Sequence, residues 1–219
     1  RSSLYGGRTL GKVQHQGLRR GPRAHEHGHG LGQPHTCPTD QTKLMEPSIS
    51  TAYDGPQEDD TLATQRGYGD FNDSGTGNDT SALATDLGLA VSMATITETG
   101  NSIDSTTDMD FFRFSVGTFV QATITLTPIG TMYLSGPQVG GCTAGTPFDA
   151  LTQSNLVLEL LDSDGTTVLA SANVGGIGQS ETITGFSLPS TGDFFIRVAG
   201  TEDFVQMYQL DVSVLGQMG

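Results

Sequence analysis

The chain has 219 residues, of which 30 are glycine and only 16% are charged, the composition of a strand- and turn-rich globular protein with room for one large domain or two small ones. Six of the ten basic residues precede the first acid, Glu26, so residues 24–219 set four basic side chains against 24 acidic ones, a net charge of −20. Such an anionic body repels nucleic-acid phosphates and anionic membrane surfaces, and no apolar run has the length of a membrane span, so neither nucleic acid nor membrane is an expected partner.

Residues 1–23 are basic, glycine-rich and without hydrophobic periodicity. They are expected to be an irregular segment, foreign to the rest of the chain, because no strand or helix pattern leads into residue 24. The chain starts with Arg1 rather than methionine, so the natural start, with any secretion signal, is expected upstream.

Residues 24–70 open on Ala24-His25-Glu26-His27-Gly28-His29-Gly30-Leu31-Gly32-Gln33-Pro34-His35. On a helix of 100° per residue, His25 and His29 lie about 40° apart and one turn along, so both imidazoles reach one ion. Gly32 lets the chain leave the helix with positive φ and bring His35 back as a third ligand. Three neutral nitrogens with one open position describe a catalytic zinc rather than a structural one. Glu26, beside the first ligand, is placed to act as general base on a water that the zinc acidifies. His27 points off the ligand face. Gly21-Pro22 limits the helix upstream, since proline is tolerated only in its first turn, and the helix is expected to start no earlier than about Pro22.

The spacing HExxHxxGxxH resembles that of the metzincin zinc endopeptidases. Lys43-Leu44-Met45-Glu46-Pro47 resembles the methionine turn of the matrixin branch, and Asp59 to Gly69, ending in Tyr68-Gly69, is similar to its closing helix. The resemblance implies that Met45 forms an apolar floor beneath the zinc, that Glu26 is catalytic and that the substrate is a protein or peptide. Ser48, Ile49 and Ser50 stand where matrixins place a pocket-lining aromatic, so side-chain preference does not carry over. Such a domain also has a sheet upstream of its motif helix, which residues 1–23 do not supply. The parent protein is therefore expected to be a secreted zinc endopeptidase, and this chain alone to be inactive.

Residues 71–82 read as a linker. From 83 to 219 the strand signal recurs in 110–116, 119–126, 155–162, 166–172, 181–188, 193–200 and 207–215, with Asp162-Ser163-Asp164-Gly165 as a hairpin turn. With no long amphipathic helix competing, the expected fold class is mainly β, an antiparallel jelly-roll-like sandwich behind a partial α+β catalytic remnant. Residues 136–152 are expected to form a surface insertion. Phe111-Phe112 and Phe194-Phe195 are each expected to send one ring inward and one outward, the outward ring being either a candidate contact surface or a boundary between packed segments.

Asn78 to Ala82, Asp108 to Phe114 and Gly192 to Val198 resemble the bacterial pre-peptidase C-terminal domain, a calcium-associated sandwich that follows secreted peptidases. Asp79, Asp104, Asp108 and Asp110 are candidate calcium ligands; the other reading makes them solvated turn carboxylates. Cys37 and Cys142 can pair in an oxidising compartment or remain two thiols. The alternative function is a non-catalytic binding or surface-anchoring sandwich with a vestigial zinc site. Nothing in the sequence sets the oligomeric state.

Overall fold

The computed structural model describes residues 20–49, 55–75, 77–137, 141–142 and 144–216. The elements are α1 (Arg20–Gly30), β1 (Thr36–Cys37), α2 (Glu58–Tyr68), a 3-10 turn (Ser81–Leu83), β2 (Thr85–Leu89), β3 (Thr95–Ile103), β4 (Met109–Val116), β5 (Val120–Ile129), β6 (Met132–Pro137), β7 (Thr146–Asp149), β8 (Leu156–Leu161), β9 (Val168–Ala172), β10 (Glu181–Ser187), β11 (Gly192–Gly200) and β12 (Gln206–Gly216). Most of the segment expected to be irregular, residues 1–19, lies outside the described residues; α1 begins at Arg20, two residues before the expected limit at Pro22, which stands third in the helix and so still in its first turn, where the missing N–H has no intrahelical partner to lose.

Two sheets make the sandwich, a five-stranded one in the order β2-β4-β11-β8-β9 and a four-stranded one in the order β10-β5-β12-β3. Their pairings are antiparallel except β2 beside β4. The two-residue side-chain period of a strand explains the core. Phe112, Phe114 and Val116 of β4 share one buried cluster with Ile196 and Val198 of β11, Ile124 and Leu126 of β5, and Tyr208, Leu210 and Val212 of β12. Each large apolar side chain so buried contributes about 1.5–3 kcal/mol. All seven expected strand segments are strands, and the turn at Asp162 to Gly165 joins β8 to β9.

Residues 136–152, expected to form a surface insertion, include the end of β6 and all of β7, a hairpin outside the two sandwich sheets; its strand β6 also pairs with β1, so that Thr36 lies opposite Pro137 and Cys37 opposite Gly136. Residues 71–82, read from the sequence as a linker, include packed turns. The Asn72 side chain donates to Asn101 Oδ1 at 2.8 Å, Ser102 N–H donates to the preceding Asp70 at 2.7 Å, and Phe111 N–H donates to Asn78 O at 2.9 Å. Of the two readings of the outward phenylalanines, the boundary between packed segments fits the structure. Phe111 is buried beneath Arg197, and Phe195 is half-buried.

Cys37 and Cys142 form a disulfide, with 105 residues of separation and a Cα–Cα distance of 5.5 Å. The bond ties the segment after the histidine motif to the sandwich hairpin, and it fits an oxidising compartment. Lys43 strengthens the same junction. Its ammonium is buried, 3.3 Å from Asp59 and 4.0 Å from the ring centroid of Tyr133 on β6. Among the described residues, no helix is long and apolar enough to cross a membrane.

Candidate metal centres

Helix α1 ends in a Schellman motif. Gly32 N–H donates to His29 O at 2.9 Å and Gln33 N–H to Gly28 O at 3.0 Å, with Gly32 at φ +83°. A side chain at Gly32 would be strained there, so glycine is what permits the chain to reverse. The reversal delivers His35 beside the helix, and the ring centroids of His25, His29 and His35 lie 4.7–5.4 Å apart. Their ligand nitrogens fall within 4.8 Å of one another.

The imidazoles are oriented from behind. His25 Nδ1 lies 2.7 Å from Leu44 O and His29 Nδ1 lies 3.0 Å from Gln33 O. A carbonyl only accepts, so Nδ1 carries the proton in both rings and, in the neutral imidazole, Nε2 keeps its lone pair for the centre. His29 Nε2 is 3.1 Å from His35 Nε2. Two nitrogens on one tetrahedral zinc, with bonds of about 2.0–2.1 Å, lie about 3.3 Å apart, so the residues present fit that ion. Glu26 is exposed next to His25, and His27 is exposed as well.

The methionine turn closes the underside. Met45 is 2% exposed and packs so tightly on α1 that a Cβ at Gly28 would stand 2.4 Å from its Sδ. Thr36 N–H donates to Met45 O at 2.9 Å, which fixes the residue following the third histidine. The buried Glu46 carboxylate accepts N–H bonds from Gln41, Thr42 and Lys43 at 2.8–3.0 Å and closes the turn. On the far side of His35 and Met45, a cleft of about 390 Å³ runs between α2 and the sandwich, walled by Leu62, Tyr133, Phe148 and Val205.

A second centre lies where α2 meets the sandwich. Of the four sequence candidates, Asp108 and Asp110 come together, and they do so with Asp73, from the segment expected to be a linker. Asp79 and Asp104 line the surrounding pocket with Asp73 and Asp108. Burial raises Asp73 to about 6 and Asp108 to about 7, and neighbouring carboxylates add to both; burial drives Asp110 well above the usual range, with Asp70 and Asp108 adding to it. Asp110 Oδ2 accepts the Tyr208 hydroxyl, while Asp110 Oδ1 and Asn78 Oδ1 are buried with no hydrogen-bond partner. Unpartnered buried oxygens beside crowded carboxylates are the donor chemistry of a hard cation. The signal that could have found Asp73 is the Gly-Asp-Phe-Asn-Asp-Ser-Gly run, Gly69 to Gly75, with two acids spaced in a glycine-bounded turn.

No protein-family model matches the chain, and no curated protein matches it in sequence. Among solved structures, the pre-peptidase C-terminal domain of a Bacillus anthracis collagenase is similar at 16% identity, covering 60% of this chain and 93% of that one with a TM-score of 0.36. A periplasmic inhibitor of g-type lysozyme from Aeromonas hydrophila is 13% identical over 60% of this chain and 98% of its own, with a TM-score of 0.32. A carbohydrate-binding module solved with calcium and xylotriose is 12% identical over 54% of this chain and 87% of its own, with a TM-score of 0.30. Likenesses this distant carry no function to the chain, and its fold class rests on its own strand pairing.

Proposed function

We propose that residues 24–70 carry the zinc centre of a secreted metalloendopeptidase of metzincin type and that the β-sandwich is its docked accessory module. The observation that supports this most is the convergence of His25, His29 and His35, with Nδ1 of the first two already committed to carbonyl oxygens. His25, His29 and His35 hold the ion, and Met45 forms the floor beneath them. Bound zinc supplies Lewis acidity toward a carbonyl and toward water. With the ion bound and the catalytic domain complete, Glu26 would be the general base, taking a proton from water and giving it to the leaving amine. The Cys37–Cys142 disulfide supports placement of the protein in an oxidising compartment.

The test is metal stoichiometry and peptide cleavage on the chain and on Glu26→Ala. This reading expects one zinc per chain in both forms, and expects any zinc-dependent cleavage to vanish in the variant. A chain that retains no zinc overturns it. The second reading, a non-catalytic binding module, is supported by the sandwich core, whose buried residues among those described run from Ala90 to Val214. That reading makes the histidine site vestigial and expects no stoichiometric zinc; because this chain alone is expected to be inactive on either reading, the zinc stoichiometry separates the two.

We further propose Ca²⁺ at the second centre, held by Asp73, Asp108 and Asp110. The unpartnered Oδ1 of Asp110 supports it. Calorimetric titration of chelator-treated protein is the test, and absence of binding overturns it.

A further inference from the structure

Gln33 occupies one of the variable positions between Gly32 and His35, yet its bonds reach in three directions. Its N–H closes the Schellman motif on Gly28 O, and its carbonyl accepts from His29 Nδ1 at 3.0 Å. Its side-chain amide donates to Asp60 O at 2.8 Å and to Thr64 Oγ1 at 2.7 Å, both on α2. The Thr64 hydroxyl spends its own proton on Asp60 O, so it can only accept from Gln33. Helix α2 is in turn bolted to the sandwich. Its Glu58 accepts Thr131 N–H at 2.9 Å, and its Arg66 pairs with Asp203 at 3.0 Å. The loop between the second and third histidines thus reaches the rigid sheet through one amide group, with a Tyr68 to Leu31 O bond of 3.2 Å beside it.

We propose that Gln33 is a positioning residue for the zinc centre, holding the loop that sets the ring of His29 and the approach of His35; this rests on the zinc reading above. The glutamine is the fitting choice because the α2 acceptors face it in a row: a carbonyl and a hydroxyl whose proton is already used. A glutamate of the same shape has no hydrogen to give either of them, and a leucine of similar volume has no polar atom.

The experiment is zinc affinity by competition with a chromophoric chelator, together with the visible spectrum of the Co²⁺-loaded chain, for the parent, Gln33→Glu and Gln33→Leu. Loss of an outer partner of a ligand typically weakens metal binding about 10–100-fold, and that loss is expected in both variants together with a changed Co²⁺ spectrum. The melting midpoint of the sandwich, followed by strand circular dichroism, is expected to stay at the parent value. Affinities within twofold of the parent and an unchanged spectrum overturn the proposal, as does a lowered melting midpoint with unaltered affinity, which marks a purely structural glutamine. A parent chain that binds no zinc fails the zinc reading itself and takes this proposal with it, so the two failures are told apart by the parent alone.

Discussion

His25 donates its Nδ1–H to the carbonyl oxygen of Leu44 at 2.7 Å, which makes the first histidine of the cluster and the turn through Leu44 and Met45 one mechanical unit. Met45, the next residue, accepts Thr36 N–H and so also holds the strand that comes after His35. Two successive carbonyls of one turn therefore set the first and third histidines, and the third carbonyl in the system, Gln33 O, sets the second.

Calcium is expected to raise the melting midpoint of chelator-treated protein. At a free concentration one hundred times its dissociation constant, a ligand of the native state alone adds about 2.7 kcal/mol. Asp110→Asn keeps an acceptor for Tyr208 but loses charge at the buried end of the site, so most of the gain should disappear. Scanning calorimetry with and without calcium checks this, and equal midpoints would count against the site.

The Cys37–Cys142 bond closes a span of 105 residues. Replacing both cysteines by serine is expected to lower the free energy of unfolding by about 2–5 kcal/mol, the usual effect of losing a native disulfide in a small secreted domain. Denaturant unfolding of the two proteins measures it, and a loss below about 1 kcal/mol, the size of an ordinary point mutation, contradicts it.

Asp60 has its pKa raised to about 6, by burial first and by Asp59 next, while the Gln57 N–H bond pulls the other way. The folded protein therefore holds this proton more tightly than the unfolded chain does. The stability it contributes is complete below the unfolded value of 3.8 and is lost as pH rises through 6. Asp60→Asn, which can still accept from Gln57, should remove that pH dependence, worth at most about 3 kcal/mol. Parallel stability profiles from pH 4 to 7 should diverge across this window. Profiles that remain parallel would refute the assignment.

A chain of residues 77–219 is expected to fold and melt cooperatively, because the main core cluster lies between Ala90 and Val214. Coincident transitions by circular dichroism and calorimetry are the check. A broad, non-cooperative melt would mean that α1, α2 and the turns between them are needed for the sandwich.

The strands legible in the sequence were those with a strict two-residue alternation against a closed core, such as β4 with Phe112 and Phe114 and β12 with Tyr208 and Leu210. Strands β2 and β3 were not, because Thr85–Leu89 contains a glycine at φ +79° and Thr95–Ile103 is polar along most of its length. Hairpin β6–β7 was hidden for a related reason: Ser135, Gly136 and Pro137 carry no alternation, and the pairing with β1 joins residues about one hundred positions apart. At the candidate sites, the proximity of His25 and His29 was readable because helix geometry alone relates them. Asp73 was not, since only tertiary packing brings it to Asp108 and Asp110. The same holds for Gln33, whose role depends on where α2 lies.

The central claim is a zinc ion held by His25, His29 and His35, and X-ray absorption at the zinc edge tests it most directly. After loading with one equivalent of zinc, three imidazole nitrogens are expected at about 2.0–2.1 Å with one further light atom. In His29→Ala the three-imidazole signature should be lost, whereas His27→Ala should retain it. A parent spectrum with fewer than three imidazoles, or one unchanged by His29→Ala, would contradict the account.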